Sequence, residues 1–185
     1  MKEEIIIAGF GGQGVLSMGK ILAYAALMND LEVSWMPAYG PEQRGGTANV
    51  TVILSDTPIS DEPISSPVLD SYDIAVVLNQ QSLDKFEPKV KPGGLLIYDS
   101  YGIHRAPQRG DITVHEIKAM DATFDMGNSK AYNMVVLGAL LGIRDLVPLD
   151  AVMRGLKKTL PERHHHLLSM NEEAIQLGMT LVNEK

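Results

Sequence analysis

Ile5-Ile6-Ile7-Ala8-Gly9-Phe10-Gly11-Gly12-Gln13-Gly14 decides how this chain is read. Four apolar, mostly β-branched residues in a row make a short strand buried on both faces, as in a parallel sheet. Gly9, Gly11 and Gly14 follow at the G-x-G-x-x-G spacing, and an apolar pattern of helical period starts at once with Val15, Met18, Leu22 and Ala25. Strand, glycine turn and helix in that order favour an anion above the turn. Glycines let the backbone come close, and the first N–H groups of the helix have no partner within it. Gln13 adds a side-chain amide at the helix start, able both to donate and to accept. The competing reading is a tight strand-to-helix turn that needs glycine only for packing.

Further along, Tyr39-Gly40-Pro41-Glu42-Gln43-Arg44-Gly45-Gly46-Thr47 follows a second predicted strand, residues 32–36. Pro41 stiffens this loop, while Gly45 and Gly46 permit close approach or unusual dihedrals. Arg44 can hold a carboxylate or phosphate with two parallel hydrogen bonds. In an open α/β sheet the loops at the carboxyl ends of the strands share one crevice, so this loop and the glycine turn are expected to face the same site. The bland alternative is a surface loop with an exposed Glu42–Arg44 pair worth little.

The remaining strands are expected over residues 48–54, 74–78, 95–98 and 113–117. A helix opens at Asn79, and Lys91-Pro92-Gly93-Gly94 reads as a turn. Residues 59–69, with Pro63 and Pro67, are expected to be irregular. The chain then turns helical over residues 129–143, 149–160 and a last segment to Val182, with Ser169 and Glu172 at capping-box spacing. Strands alternating with helices predict one α/β domain over residues 1–185. It is Rossmann-like, a mostly parallel sheet sandwiched by helices, with a helical C-terminal third.

Composition narrows the function. Of 185 residues, 45% are hydrophobic and 21% charged, an ordinary soluble balance. The net charge of -7 argues against nucleic acid or an anionic membrane as a general partner, leaving room for a local basic site. The sequence holds no cysteine, which excludes a disulfide, a thiol nucleophile, and cysteine ligation of zinc or an iron–sulfur cluster. The N-terminal stretch does not read as a signal peptide, and the longest apolar run, residues 134–143, is about half a membrane span. A cytoplasmic location is the expectation.

Two nucleotide readings fail on detail. A dinucleotide site needs an acid at the end of the second strand, but Glu32 sits at its beginning. No lysine completes a phosphate-binding loop of the G-x-x-x-x-G-K-[ST] kind. His164-His165-His166 cannot converge on one metal ion, because consecutive side chains diverge on helix and strand alike. Asp99, Ser100 and His104 lack the nucleophile elbow of a hydrolase and read as turn formers. Asn133, on an apolar helix, is expected to bond nearby backbone or a subunit seam.

Three blocks in order resemble the gamma subunit of the 2-oxoacid:ferredoxin oxidoreductases. They are Gly11-Gly12-Gln13-Gly14, the loop from Tyr39 to Gly46, and Gly127-Asn128 with Asn133, Leu137 and Gly138. The ending Arg44-Gly45-Gly46-Thr47-Ala48-Asn49 looks most like the 2-oxoglutarate branch. The resemblance implies a multi-subunit enzyme that converts a 2-oxoacid and coenzyme A into acyl-CoA and carbon dioxide. It would use thiamine diphosphate with magnesium, and iron–sulfur clusters that pass electrons to ferredoxin. This chain shows no thiamine motif (Gly-Asp-Gly followed by Asn-Asn) and no cysteine, so those groups are expected on alpha, beta and ferredoxin-like partner subunits, and the chain alone is expected to be silent. Gly9, Gly11, Gly12, Gln13, Gly14, Tyr39, Gly40, Glu42, Arg44, Gly45 and Gly46 are the expected contacts to coenzyme A or substrate, or else to a neighbouring subunit. The alternatives are a free-standing nucleotide- or CoA-binding α/β protein, or an NAD(P)-dependent dehydrogenase.

Overall fold

Six strands form one sheet in the computed structural model, which describes residues 1–40, 46–59 and 69–182. They are β1 (Lys2–Phe10), β2 (Glu32–Tyr39), β3 (Thr47–Ser55), β4 (Tyr72–Val77), β5 (Val90–Asp99) and β6 (Thr113–Ile117). Their order across the sheet is β2-β3-β1-β4-β5-β6. The pairs β1–β4, β4–β5 and β5–β6 are parallel. β3 runs against both β1 and β2, so it alone is reversed. The sheet is mostly parallel, as the alternation of strands and helices predicts.

The helices are α1 (Val15–Leu27), α2 (Gln80–Phe86), α3 (Ala119–Asp125), α4 (Tyr132–Ile143), α5 (Leu149–Thr159) and α6 (Leu168–Leu181). They cover the sheet unevenly. α1 and α4 to α6 pack over one face, where Ile5, Ile7, Val50, Val52, Val76 and Ile97 meet Met18, Leu22 and Leu137. α2 lies on the other face, where Leu83 and Phe86 join Ile6, Ala75, Val77 and Leu96 in a smaller core. The strand at the centre therefore sends alternate side chains into two separate cores, the reason Ile5, Ile6 and Ile7 form an unbroken apolar run.

Helix α4 is apolar nearly all round because it lies between the sheet and α6. A methyl group replacing a hydrogen of Gly138 would lie 2.0 Å from the Ile175 carbonyl oxygen; at Gly178 it would lie 2.0 Å from that of Val135. The two helices therefore touch backbone to backbone, each through its own glycine.

Several boundaries differ from expectation. β2 continues through Pro37 to Tyr39, since it is an edge strand and a missing N–H is tolerated there. β5 begins at Val90, and Lys91-Pro92-Gly93-Gly94 is an irregularity inside the strand, where its register against β4 slips between Tyr72 and Ile74. α3 was not expected. α6 starts at Leu168 without a capping side chain, so Ser169 and Glu172 make no capping box. A 3₁₀ turn, Glu162–Leu167, runs into the helix and supplies the preceding carbonyls instead. The expected irregular stretch, residues 59–69, falls almost wholly outside the described residues.

Candidate functional site

The glycine turn sits at the carboxyl end of β1. Gly9 pairs with Ala48 and Phe10 with Thr47, so the start of β3 lies beside it. The Gln13 N–H donates to the Phe10 carbonyl at 3.2 Å, closing the turn. Gly12 and Gly14 have φ of 100° and 75°, left-handed values that favour glycine. Gly14 is the N-cap of α1 and offers no side chain, and the first turn of α1 carries no acidic residue. The orphan N–H groups of α1 are thus left to whatever occupies the crevice.

The side chain of Gln13 folds inward. Its Oε1 accepts from the Phe10 N–H at 2.6 Å, and its Nε2 donates to the Leu78 carbonyl at 3.3 Å. Gln13 thereby ties the end of β1 to the residue after β4. One N–H and one lone pair of the amide remain uncommitted by these bonds. The room for this comes from Gly9, where a methyl group would stand 2.5 Å from Gln13 Oε1.

The second block meets the first directly. The Gly11 N–H donates to the Gly46 carbonyl at 2.9 Å, and the Gly40 N–H to the Thr47 carbonyl at 2.8 Å. The neck of the loop is therefore closed and fastened to the glycine turn. Glu42, Arg44 and Gly45 lie outside the described residues. Tyr39 is 71% exposed and lines a cavity of about 290 Å³ together with Phe10, Gly11, Gly12, Gly14 and Ser17.

A second cavity, of about 280 Å³, lies on the other side of the turn, between Gly12, Gly14, Met120, Lys130, Tyr132 and Asn133. Of the two partners expected for Asn133, nearby backbone is not used, which leaves the subunit seam. The Asn133 amide makes no hydrogen bond to any described residue, and it stands against the turn, with Nδ2 2.5 Å from where a Gly14 methyl would be. Beneath it, Asp99 ends β5 at 1% exposure and caps the following 3₁₀ turn through the Tyr101 N–H at 3.4 Å, the turn role expected of it. Burial raises its carboxyl above the ordinary value; the Tyr132 hydroxyl and the Tyr101 and Met120 N–H groups around it oppose the rise without cancelling it. Burial and the Asp99 charge together raise the Tyr132 phenol, so Tyr132 stays protonated. Lys130, Tyr132 and Met120 were missed in the sequence; Asn133 and the nearby Gly127-Asn128 marked that neighbourhood.

The triple histidine separates as its geometry requires. His165 Nε2 points to the Lys157 and Leu160 carbonyls at 3.1 and 3.0 Å, fastening the 3₁₀ turn to the end of α5. His164 and His166 point elsewhere, into a larger cavity. Among the described residues no three His, Asp or Glu side chains gather as a metal site.

A mostly parallel six-stranded sheet with a glycine turn at the carboxyl end of β1, covered by helices on both faces, defines a Rossmann-like α/β protein. The chain belongs to the pyruvate ferredoxin/flavodoxin oxidoreductase family, whose pattern matches residues 4–181. It is 38% identical over 183 residues to the ketoisovalerate oxidoreductase subunit VorA of Methanothermobacter thermautotrophicus, covering 98% of this chain but only 36% of VorA. It is 34% identical over 191 residues to the 2-oxoglutarate synthase subunit KorC of the same organism, covering 100% of this chain and 97% of KorC. The solved gamma subunit of a keto/oxoacid ferredoxin oxidoreductase from Geobacter sulfurreducens superposes with a TM-score of 0.82 at 29% identity, covering 99% of this chain and 97% of that one. The resemblance read from the three sequence blocks is thus shown for the whole chain. The relatives' names divide among three 2-oxoacids, ketoisovalerate, 2-oxoglutarate and pyruvate, so the 2-oxoglutarate branch is not singled out.

Proposed function

We propose that this chain is the gamma-type subunit of a cytoplasmic, thiamine diphosphate-dependent 2-oxoacid:ferredoxin oxidoreductase, and that it shapes the coenzyme A side of a site shared with its partner subunits. The observation that carries this reading is the Gly11 N–H to Gly46 carbonyl bond. It fixes the end of the arginine loop to the anion-accepting turn at the edge where α/β sheets bind ligands. Coenzyme A is rich in phosphate, and the cradle offers unpaired helix N–H groups with no acid to repel it. Arg44 supplies the counter-charge. Asn133 contributes an uncommitted amide at the second wall.

Iron–sulfur clusters do not fit this chain, because it has no cysteine to ligate them. Thiamine diphosphate, magnesium and the clusters belong in this reading to alpha, beta and ferredoxin-like subunits. The 2-oxoacid is ketoisovalerate, 2-oxoglutarate or pyruvate, with the partner subunits completing its pocket.

The test is Arg44→Ala in the assembled complex, assayed by CoA-dependent reduction of a viologen dye. A charge-assisted pair is worth about 1.5–3 kcal/mol, so KM for coenzyme A should rise roughly 10- to 100-fold. Unchanged kinetics for both coenzyme A and 2-oxoacid would end the ligand reading and leave the loop a subunit contact. Purification of the chain without thiamine- and cluster-binding partners would end the subunit reading itself.

A further inference from the structure

A cavity larger than either of those at the glycine turn lies elsewhere in the molecule. It holds about 670 Å³ and lies between α1, the N-terminal end of α4, the C-terminal end of α5, the histidine turn and α6. That volume is within the range of small-molecule sites. Its apolar walls come from Ile21, Met134, Leu156 and Leu160.

Its ionisable side chains all favour a negative ligand. Lys20, Lys130, His164 and His166 line it, and no carboxylate does. In a chain of net charge -7 that is a local reversal of sign. Neither lysine ammonium has an ion pair or hydrogen bond among the described residues. Asn171, on α6, is 9% exposed, lines the same cavity and makes no hydrogen bond to any described residue. Its amide stays accessible within the cavity, so a ligand there can take it as a hydrogen-bond partner.

We infer that this cavity is a second binding site, for a nucleotide-sized phosphate ester. The phosphate would lie between Lys20 and the His164 and His166 imidazoles. A planar ring would lie on Leu156 and Met134, and its hydrogen-bonding edge would meet the amide of Asn171. The apolar walls decide against a bare inorganic anion, and the unpaired ammonium groups against an uncharged ligand. This site shares Lys130 and Asn133 with the rim of the glycine-turn cavity but does not depend on the reading of that turn.

Titration calorimetry of the full chain tests it, with adenosine 5′-monophosphate and inorganic phosphate as probes. The nucleotide should bind at least tenfold more tightly than phosphate. Binding should weaken at least tenfold in Lys20→Ala and further in Lys20→Ala with His164→Ala, since neither residue lines the glycine-turn cavities. It should be unchanged in Lys157→Ala with Lys158→Ala, which removes two exposed lysines nearby, and in Arg44→Ala. Absence of nucleotide binding overturns the inference, as do equal affinity for phosphate and equal losses in the two lysine variants. A loss only in Arg44→Ala would move the nucleotide to the glycine turn, overturning this site while supporting the other.

Discussion

Gly14 carries two constraints at once. Its φ of 75° is costly for any residue with a Cβ, and the position a methyl would take is 2.5 Å from the Asn133 amide. Gly14→Ala should cost about 2–4 kcal/mol, a melting temperature lower by roughly 5–15 °C. Thermal unfolding followed by circular dichroism reads this directly; a fall of a degree or less would show that Asn133 simply swings away. Asp99 makes the opposite prediction. Its carboxyl is raised by burial, so the ionised form is disfavoured in the native state. Native stability should therefore improve as pH falls through the raised folded value, until the unfolded value of about 3.9 is reached. Asp99→Asn should be at least as stable as the parent at pH 7, with the advantage shrinking toward pH 4. Urea midpoints across that range would decide it, and a large loss at pH 7 would mean that the charge itself is needed.

At the scale of elements, the loop after β5 depends on one carboxylate. Glu87 is buried and accepts from the N–H groups of Gln108 and Arg109, while Arg105 pairs with its other oxygen. Burial acts to raise the Glu87 carboxyl, but these donors together hold it below the ordinary value. A depressed carboxyl contributes its stability above the unfolded value of about 4.3 and loses it as pH falls through the lower folded one. Glu87→Gln should cost about 1.5–3 kcal/mol at pH 7, and the gap from the parent should close below about pH 4. A gap independent of pH would assign the effect to shape and not to charge. The α4–α6 pair gives a sharper test. Gly138→Ala drives a methyl into the Ile175 backbone, which has no flexible end to give way, so the helices must part. We expect a loss of at least about 3 kcal/mol by chemical denaturation, with Gly178→Ala matching it because the contact is reciprocal.

For the molecule as a whole, the sequence was most informative where one local pattern met one local cause. The strand, glycine turn and helix at the N-terminus form as their spacing predicts, because glycine dihedrals and helix periodicity are local properties. β6 has the expected bounds for the same reason. β5 was shortened in the reading because Pro92, Gly93 and Gly94 signal a turn locally, while the pairing of Val90 with Tyr72 of β4 carries the strand across that irregularity. Asn133 was marked as unusual, yet its place over Gly14 depends on how α4 docks on α1. The large cavity was invisible because five separate segments build it. The histidines, Asn128 and Asn133 were marked in the sequence, but that they meet around one cavity was not legible. At this scale the expected behaviour is association: purified alone, the chain should show no 2-oxoacid oxidation, and added partner subunits should restore it. Turnover by the isolated chain, followed with the viologen assay, would contradict the accessory role proposed above.

The closed neck between Gly40 and Thr47 has a consequence for how such proteins diversify. The β2–β3 hairpin holds its register through eight paired positions, and the Gly40–Thr47 bond ends it before the arginine segment begins. The entropy of closing a loop grows only with the logarithm of its length. Residues can therefore be added, removed or exchanged between positions 41 and 45 at small cost, without shifting a single strand. The described neck is thus a fixed socket, and under the ligand role proposed for Arg44, transplanting positions 41–45 between relatives should alter ligand preference while the β2–β3 register is kept.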